Sequence, residues 1–252
     1  MQTNENVSSP SPLRYFISRL LILFGMSLLF YFLFSGITLL LLKPVFGINS
    51  LSALIEFETN PVALQAMKFM QVFISIGAMV LPALIFTWMV QQERFTFLKL
   101  NSFFSFKHFL LMISLLVFSI PFLAWLVHFN GNIHFPSVFS GLEQTLKDAE
   151  ISAEQMTKAF MRTTTLSGFA VNLVVIALVP AISEELFFRG ALQQLIKMCF
   201  DKRHLAVWIS AIIFSGIHFQ FFGFFPRMVL GLFLGYLFEY SGSMWLNVSL
   251  HF

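Results

Sequence analysis

A chain of 252 residues with 58% hydrophobic and only 11% charged side chains, at a mean hydropathy of +0.82, carries more apolar surface than a soluble domain of this size needs. The net charge of +3 is small and scattered, which excludes a nucleic-acid footprint and leaves loop charges that orient a membrane protein. The single cysteine, Cys199, excludes an internal disulfide and any multi-cysteine metal cluster within one chain, and reads as a small packing residue.

In chain order, residues 1–12 are polar and rich in Ser, Pro and Asn, the composition of a disordered tail. Arg14 and Arg19 lead into a first apolar run over residues 15–42. It is too long for a signal-peptide core and reads as a retained span. Further spans are expected over 66–90, with a kink at Pro82, and over 109–127, which contains Pro121. Residues 13–127 thus form an N-terminal set of transmembrane helices. Residues 128–167 are the one long polar connection. Its Glu143, Lys147, Asp148, Glu150, Glu154 and Lys158 lie among spaced apolar residues, predicting amphipathic surface helices. A solvated connector is the plainer reading of this stretch and a substrate-gating lid the sharper one.

A fourth span begins near Gly168 and runs into Pro180-Ala181-Ile182-Ser183-Glu184-Glu185-Leu186-Phe187-Phe188-Arg189-Gly190. The last apolar runs cover 205–222, 228–240 and 244–252, and Gly231 with Gly235 makes a small-xxx-small pair that allows close helix approach. The expected fold is an all-α polytopic membrane protein, a bundle of about seven to eight transmembrane helices around an intramembrane polar cavity. If residues 168–200 cross once, Arg14, Arg19, Arg94, Lys99, Lys107, Lys202 and Arg203 fall on one side. That side should be cytoplasmic, with the N-terminus, and the 128–167 connection outside. A separate crossing of 186–200 would invert everything after it.

Two adjacent carboxylates at the end of an apolar run are costly, and such groups normally face a bundle interior or wet cavity with a partner. On a helix, Glu185 and Arg189 are four apart, the favourable order for an ion pair, and Gln193 and Lys197 continue that stripe. Glu184 is turned about 100° away, and its helical neighbours Pro180, Ala181, Phe187 and Phe188 are apolar. Glu184 is therefore the better candidate for general-base work. His218, in Phe214-Ser215-Gly216-Ile217-His218, and His251, one turn after Asn247, are further polar groups on separate apolar segments. One glutamate with two histidines is a plausible zinc set and equally a plausible way to activate water without metal; spacing alone does not decide. His108 and His204 open spans, His128 and His134 flank a loop, and Glu239 reads as interfacial.

Glu184-Glu185-x-x-x-Arg189, Phe214-x-x-x-His218 and a late His251 in a Gly-Ser-x-Trp context together resemble the CPBP (Abi) family. These are intramembrane proteases related to the CAAX prenyl proteases and to bacteriocin-immunity proteins. The match covers residues 168–252, which the resemblance makes the catalytic core. It implies an endopeptidase of membrane-associated protein or peptide, in contact with lipid, multi-pass and in the cell membrane. Glu184 would be the water-activating base, Glu185 and Arg189 a supporting pair, and His218 and His251 the groups holding the water or metal and the oxyanion. Glu184, His218 and His251 are the implied metal set, with Zn2+ or a metal-free glutamate mechanism both described for the family. One departure stands out. The family's last motif reads His-x-x-x-Asn, whose asparagine would fall past Phe252. A final helix over 244–252 is about 14 Å long, too short to cross, so either the chain is truncated within that helix or Asn247 takes the role. The competing readings are a non-enzymatic immunity or scaffold protein of the same fold, and a proton or ion pathway through Glu184 and the histidines.

Overall fold

The computed structural model describes residues 11–91 and 93–252, apart from the side chain of Arg94. The expected tail lies outside the described residues up to residue 10. Ser11 and Pro12 already belong to the first helix: the Ser11 hydroxyl accepts from Arg14 N–H at 3.4 Å and Pro12 occupies the first turn.

The described chain is all helical between its loops. α1 is Pro12–Phe46 and stops at Gly47, whose φ of +70° suits a residue without Cβ. α2 is Pro61–Val90, α3 is Phe106–Gly131, α4 is Ser140–Met161 and α5 is Leu166–Phe200. α6, α7 and α8 are Arg203–Gly216, Phe224–Ser241 and Met244–His251. Among the described residues, α1, α2, α3, α5 and the stretch Phe221–Ser241 are long and apolar enough to cross a membrane. Their outward faces carry large apolar groups in the open, such as Leu40 at 78% and Phe118 at 82% exposure, as lipid contact requires. This is a polytopic helical membrane protein. α6 is a shorter apolar helix, and α8, with 8 residues, cannot span.

Two spans are interrupted where proline removes a backbone donor. In α2 a wide π-helical segment, Ile76–Val80, precedes Pro82, and the Ala78 carbonyl accepts from Ser27 Oγ of α1 at 2.5 Å. In α5 the segment Leu173–Leu178 precedes Pro180, and the Val175 carbonyl accepts from Gln71 Nε2 of α2 at 3.4 Å. Each loosened carbonyl thus ties its helix to a neighbour instead of standing unpaired in the bilayer. α5 is continuous over 35 residues, so a separate crossing of 186–200 does not occur.

The segment expected over 205–222 is shorter in the structure. α6 ends at Gly216, and Phe219 takes φ +53°. Glycine is a weak helix former, and a left-handed residue three positions later turns the chain back. α4 is amphipathic as expected. Its Glu143 accepts from Phe135 N–H at 2.9 Å and pairs with Lys147 at 2.6 Å and His134 at 3.1 Å. These three donors, Lys147 foremost, hold the Glu143 carboxyl down to about 2.

Candidate functional site

α5 widens a second time over Glu185–Gln193, a nine-residue π-helical stretch that holds the two carboxylates' helix against α7. The polar stripe then becomes a ladder. Arg189 donates to the Gly231 carbonyl at 3.2 Å and Gln193 to the Gly235 carbonyl at 3.1 Å. Lys197 pairs with Glu239. Both sides advance by four residues, so the helices meet in one register. Gly231 and Gly235 serve the other neighbour, α6: a Cβ at Gly235 would lie 2.9 Å from Val207 Cγ1, and one at Gly231 3.2 Å from Ala211 Cβ. Glu239, read from the sequence as interfacial, is instead a buried partner, its side chain 5% exposed. The run of polar residues up α5 signalled this need for a counter-charge.

Glu185 is sealed from solvent and fully committed. Its Oε1 meets Arg189 Nη1 at 3.0 Å and His251 Nδ1 at 2.8 Å, and its Oε2 accepts from Asn247 Nδ2 at 3.0 Å. Asn247 also donates to the Leu234 carbonyl at 2.7 Å. The Arg189 guanidinium lies over the Phe214 ring, 4.7 Å from its centroid. Asn247 thus works on Glu185, one turn before His251, and fixes α8 against both α5 and α7.

Glu184 points elsewhere. It lines a cavity of about 500 Å³ together with His218, His251, Arg227, Phe214 and apolar residues of α3, α5, α7 and α8. Its helical neighbours are apolar, but His251 Nε2 approaches its Oε2 to 3.6 Å from across the bundle. Helix periodicity could not foresee that cross-helix approach. His218 stands beyond the end of α6, not within a span. It reaches back to the Phe214 carbonyl at 2.7 Å, satisfying an acceptor left open at a helix terminus.

These contacts fix the tautomers. A carbonyl can only accept, so His218 Nδ1 carries the proton, and the ionised Glu185 makes the same demand of His251 Nδ1. In the neutral form of either ring Nε2 is then an acceptor. Such Nδ1–H tautomers have the donor chemistry of metal-bound histidines. However, no group of three or more His, Cys, Asp or Glu side chains converges to hold a metal ion among the described residues. As placed, Glu184, His218 and His251 do not fit zinc, and no step below passes through one.

The N-terminal half, which sequence reading left as generic spans, positions this site. Between α2 and α3, the strap over residues 97–102 grips the start of α8. Met244 N–H donates to the Lys99 carbonyl at 3.1 Å, Ser243 Oγ to Ser102 at 2.6 Å, and Trp245 Nε1 to Leu100 at 3.0 Å. Gln194 of α5 holds the same strap through the Phe97 carbonyl at 2.9 Å. Arg227 is the residue sequence reading missed in the cavity. It lies just before the apolar run expected over 228–240, whereas α7 starts at Phe224 with Pro226 in its first turn. A proline there signals the earlier start.

The family described as type II CAAX prenyl endopeptidase Rce1-like matches residues 166–252. "Uncharacterized protein YpbD" of Bacillus subtilis (strain 168) is 26% identical over 85 residues, 32% of this chain and 40% of the relative. The match therefore spans about two fifths of that relative's length. No solved structure matches. All five residues singled out from the sequence, Glu184, Glu185, Arg189, His218 and His251, fall in the stretch over which the chain is similar to that family.

Proposed function

We propose that the chain hydrolyses a peptide bond of a membrane-associated protein or peptide, with Glu184 as the base that activates water. The carrying observation is the division between the two glutamates. Glu185 is consumed by Arg189, His251 and Asn247, whereas Glu184 opens onto the cavity beside two histidine Nε2 acceptors.

A water donating one proton to Glu184 and the other to His251 Nε2 keeps its lone pairs free for a carbonyl carbon. Glu184 takes the first proton as the oxygen–carbon bond forms, and the carbonyl π pair moves onto its oxygen. Collapse of that tetrahedral species breaks the carbon–nitrogen bond, and Glu184 returns the proton to the departing amine. General-base assistance of this kind contributes typically 10²–10⁴-fold. Glu185 never changes protonation in this scheme; it orients His251 and neutralises Arg189. Residues 168–252 supply every reacting group, and the preceding helices act as support.

We place the N-terminus and the basic residues around it in the cytoplasm. The Phe16 and Phe200 rings meet at 5.1 Å, which brings Arg14 and Arg19 to the same end of the bundle as Lys202 and Arg203. The α4 connection then lies on the far side, and the cell membrane is the expected location.

The test uses purified protein in liposomes with fluorogenic peptides ending in Cys-aliphatic-aliphatic-X, with and without a farnesyl thioether. Cleavage at one bond, mapped by mass spectrometry, is expected from wild type. Absence of cleavage of every peptide, from protein that is folded, overturns the reading in favour of a binding scaffold.

A further inference from the structure

The cavity has a surplus of acceptors. Glu184 brings a carboxylate, and His218 and His251 each present, in the neutral ring, an Nε2 lone pair, because their Nδ1 protons are given to Phe214 O and Glu185. Leu116, Ile176, Leu230 and Leu250 among the other lining residues have no polar side-chain atom. Hydrolysis of an amide nevertheless drives negative charge onto the carbonyl oxygen, and that oxygen needs donors. Among the described residues that line the cavity, one side chain is an obligate donor: Arg227.

The guanidinium is placed for the task and left unfinished. Arg227, Leu230 and Leu234 follow one another at three- and four-residue steps on α7, so a single helix face turns to the cavity. Arg227 Nη2 donates to Gln220 Oε1, which anchors one edge of the fork. Nη1 is shielded from solvent and has no hydrogen-bond partner. The charges felt by the guanidinium are those of Glu150 on α4 and Glu184 in the cavity, yet it forms an ion pair with neither. An arginine within an apolar helix is expensive unless something answers it. A resident carboxylate would satisfy it permanently; here the guanidinium belongs to a residue that lines the cavity and keeps one donor unfilled.

Resting on the hydrolytic reading above, we infer that Arg227 is a further catalytic residue, the donor whose guanidinium holds the oxyanion while Glu184 delivers the water. The two groups divide the work by charge. The carboxylate with its neighbouring Nε2 atoms binds the protons of water, and the guanidinium binds the oxygen that becomes negative. An Arg→Lys exchange keeps the charge but loses the fork that Gln220 pins, so it should recover only part of the effect.

The test separates this role from hydrolysis and from folding. Wild type, Arg227→Gln, Arg227→Lys and Glu184→Gln in nanodiscs are titrated with two uncleavable CAAX-type farnesyl peptides. One carries a tetrahedral, anionic phosphinate at the scissile position, the other a neutral ketomethylene. Wild type and Glu184→Gln are expected to bind the phosphinate on the order of 10²-fold more tightly than the ketomethylene. Arg227→Gln should lose that preference while holding the ketomethylene with unchanged affinity, which shows that its cavity is intact, and Arg227→Lys should fall between. In turnover of the cleavable peptide, Arg227→Gln should lose about 10²–10³ in kcat with little change in KM. Equal phosphinate preference in wild type and Arg227→Gln, or no preference in wild type, overturns the assignment. A wild type that shows the Arg227-dependent preference but cleaves nothing overturns hydrolysis and leaves Arg227 as the cavity's anion donor.

Discussion

Replacing Arg189 by methionine removes a guanidinium that is 1% exposed and leaves the Glu185 carboxylate, at 0%, without its cation. Three contacts go together: the ion pair at 3.0 Å, the hydrogen bond to Gly231 O at 3.2 Å and the ring contact with Phe214 at 4.7 Å. Removing one partner of a buried pair costs about 3–5 kcal/mol, mostly through the stranded charge. His251 Nδ1 and Asn247 Nδ2 still donate to Glu185, so the lower end, about 3 kcal/mol, is expected. For a chain of this size that corresponds to a fall of roughly 6–12 °C in Tm. Glu185→Gln in the same background removes the stranded charge, so the double variant should be less damaged than the two single losses added, with a coupling of about 2 kcal/mol. Tryptophan-monitored unfolding of the four proteins in one detergent measures the cycle. An Arg189→Met protein within about 1 kcal/mol of wild type, or strictly additive losses, would refute the view that this buried pair stabilises the bundle.

Two further outcomes follow from other parts of the fold. Glu143, outside the spans, has its carboxyl pKa held down to about 2, from an ordinary value of 4.5, by Lys147, Phe135 N–H and His134. A depressed carboxyl stabilises above its unfolded value and loses that contribution as pH falls from about 4.5 towards 2. Protection factors of amides at the start of α4, which divide out the intrinsic pH dependence of exchange, should therefore fall over that acid window, and Glu143→Gln should remove that fall; identical profiles would contradict the three-donor clamp. At Gly235 an added Cβ meets Val207 Cγ1 at 2.9 Å and Gln193 Oε1 at 3.1 Å, whereas at Gly25 nothing lies within 4 Å. Gly235→Val should lose about 1–3 kcal/mol while Gly25→Ala holds or gains slightly, and equal Tm values for the two variants would refute tight α6–α7 contact.

The bundle and its inward groups were legible in the sequence because lipid admits few backbone solutions and penalises lone ionisable groups. Long apolar runs gave the spans, and the four-residue repeat Glu185, Arg189, Gln193, Lys197 gave the face that locks onto α7. What local periodicity could not carry was partnership across helices. His251 sits 66 residues from Glu185 and bridges towards both glutamates; no spacing rule connects them. The end of α6 was overrun because 205–222 carries no Asp, Glu, Lys or Arg and reads as one apolar run, whereas Gly216 and the left-handed Phe219 turn the chain there. Arg227 was hidden for a related reason. Hydropathy places a charged residue outside a span, but here a cavity inside the bundle receives it.

The most direct measurement of the central claim is turnover by Glu184→Gln beside Glu185→Gln and wild type, in one liposome preparation, with Tm recorded for each. Glu184→Gln keeps the shape of the side chain but cannot take a proton from water. The account predicts a loss of 10²–10⁴-fold in kcat with Tm close to wild type. Glu185→Gln should instead lower Tm, because its carboxylate gathers Arg189, His251 and Asn247. Unchanged cleavage by a well-folded Glu184→Gln protein would contradict it.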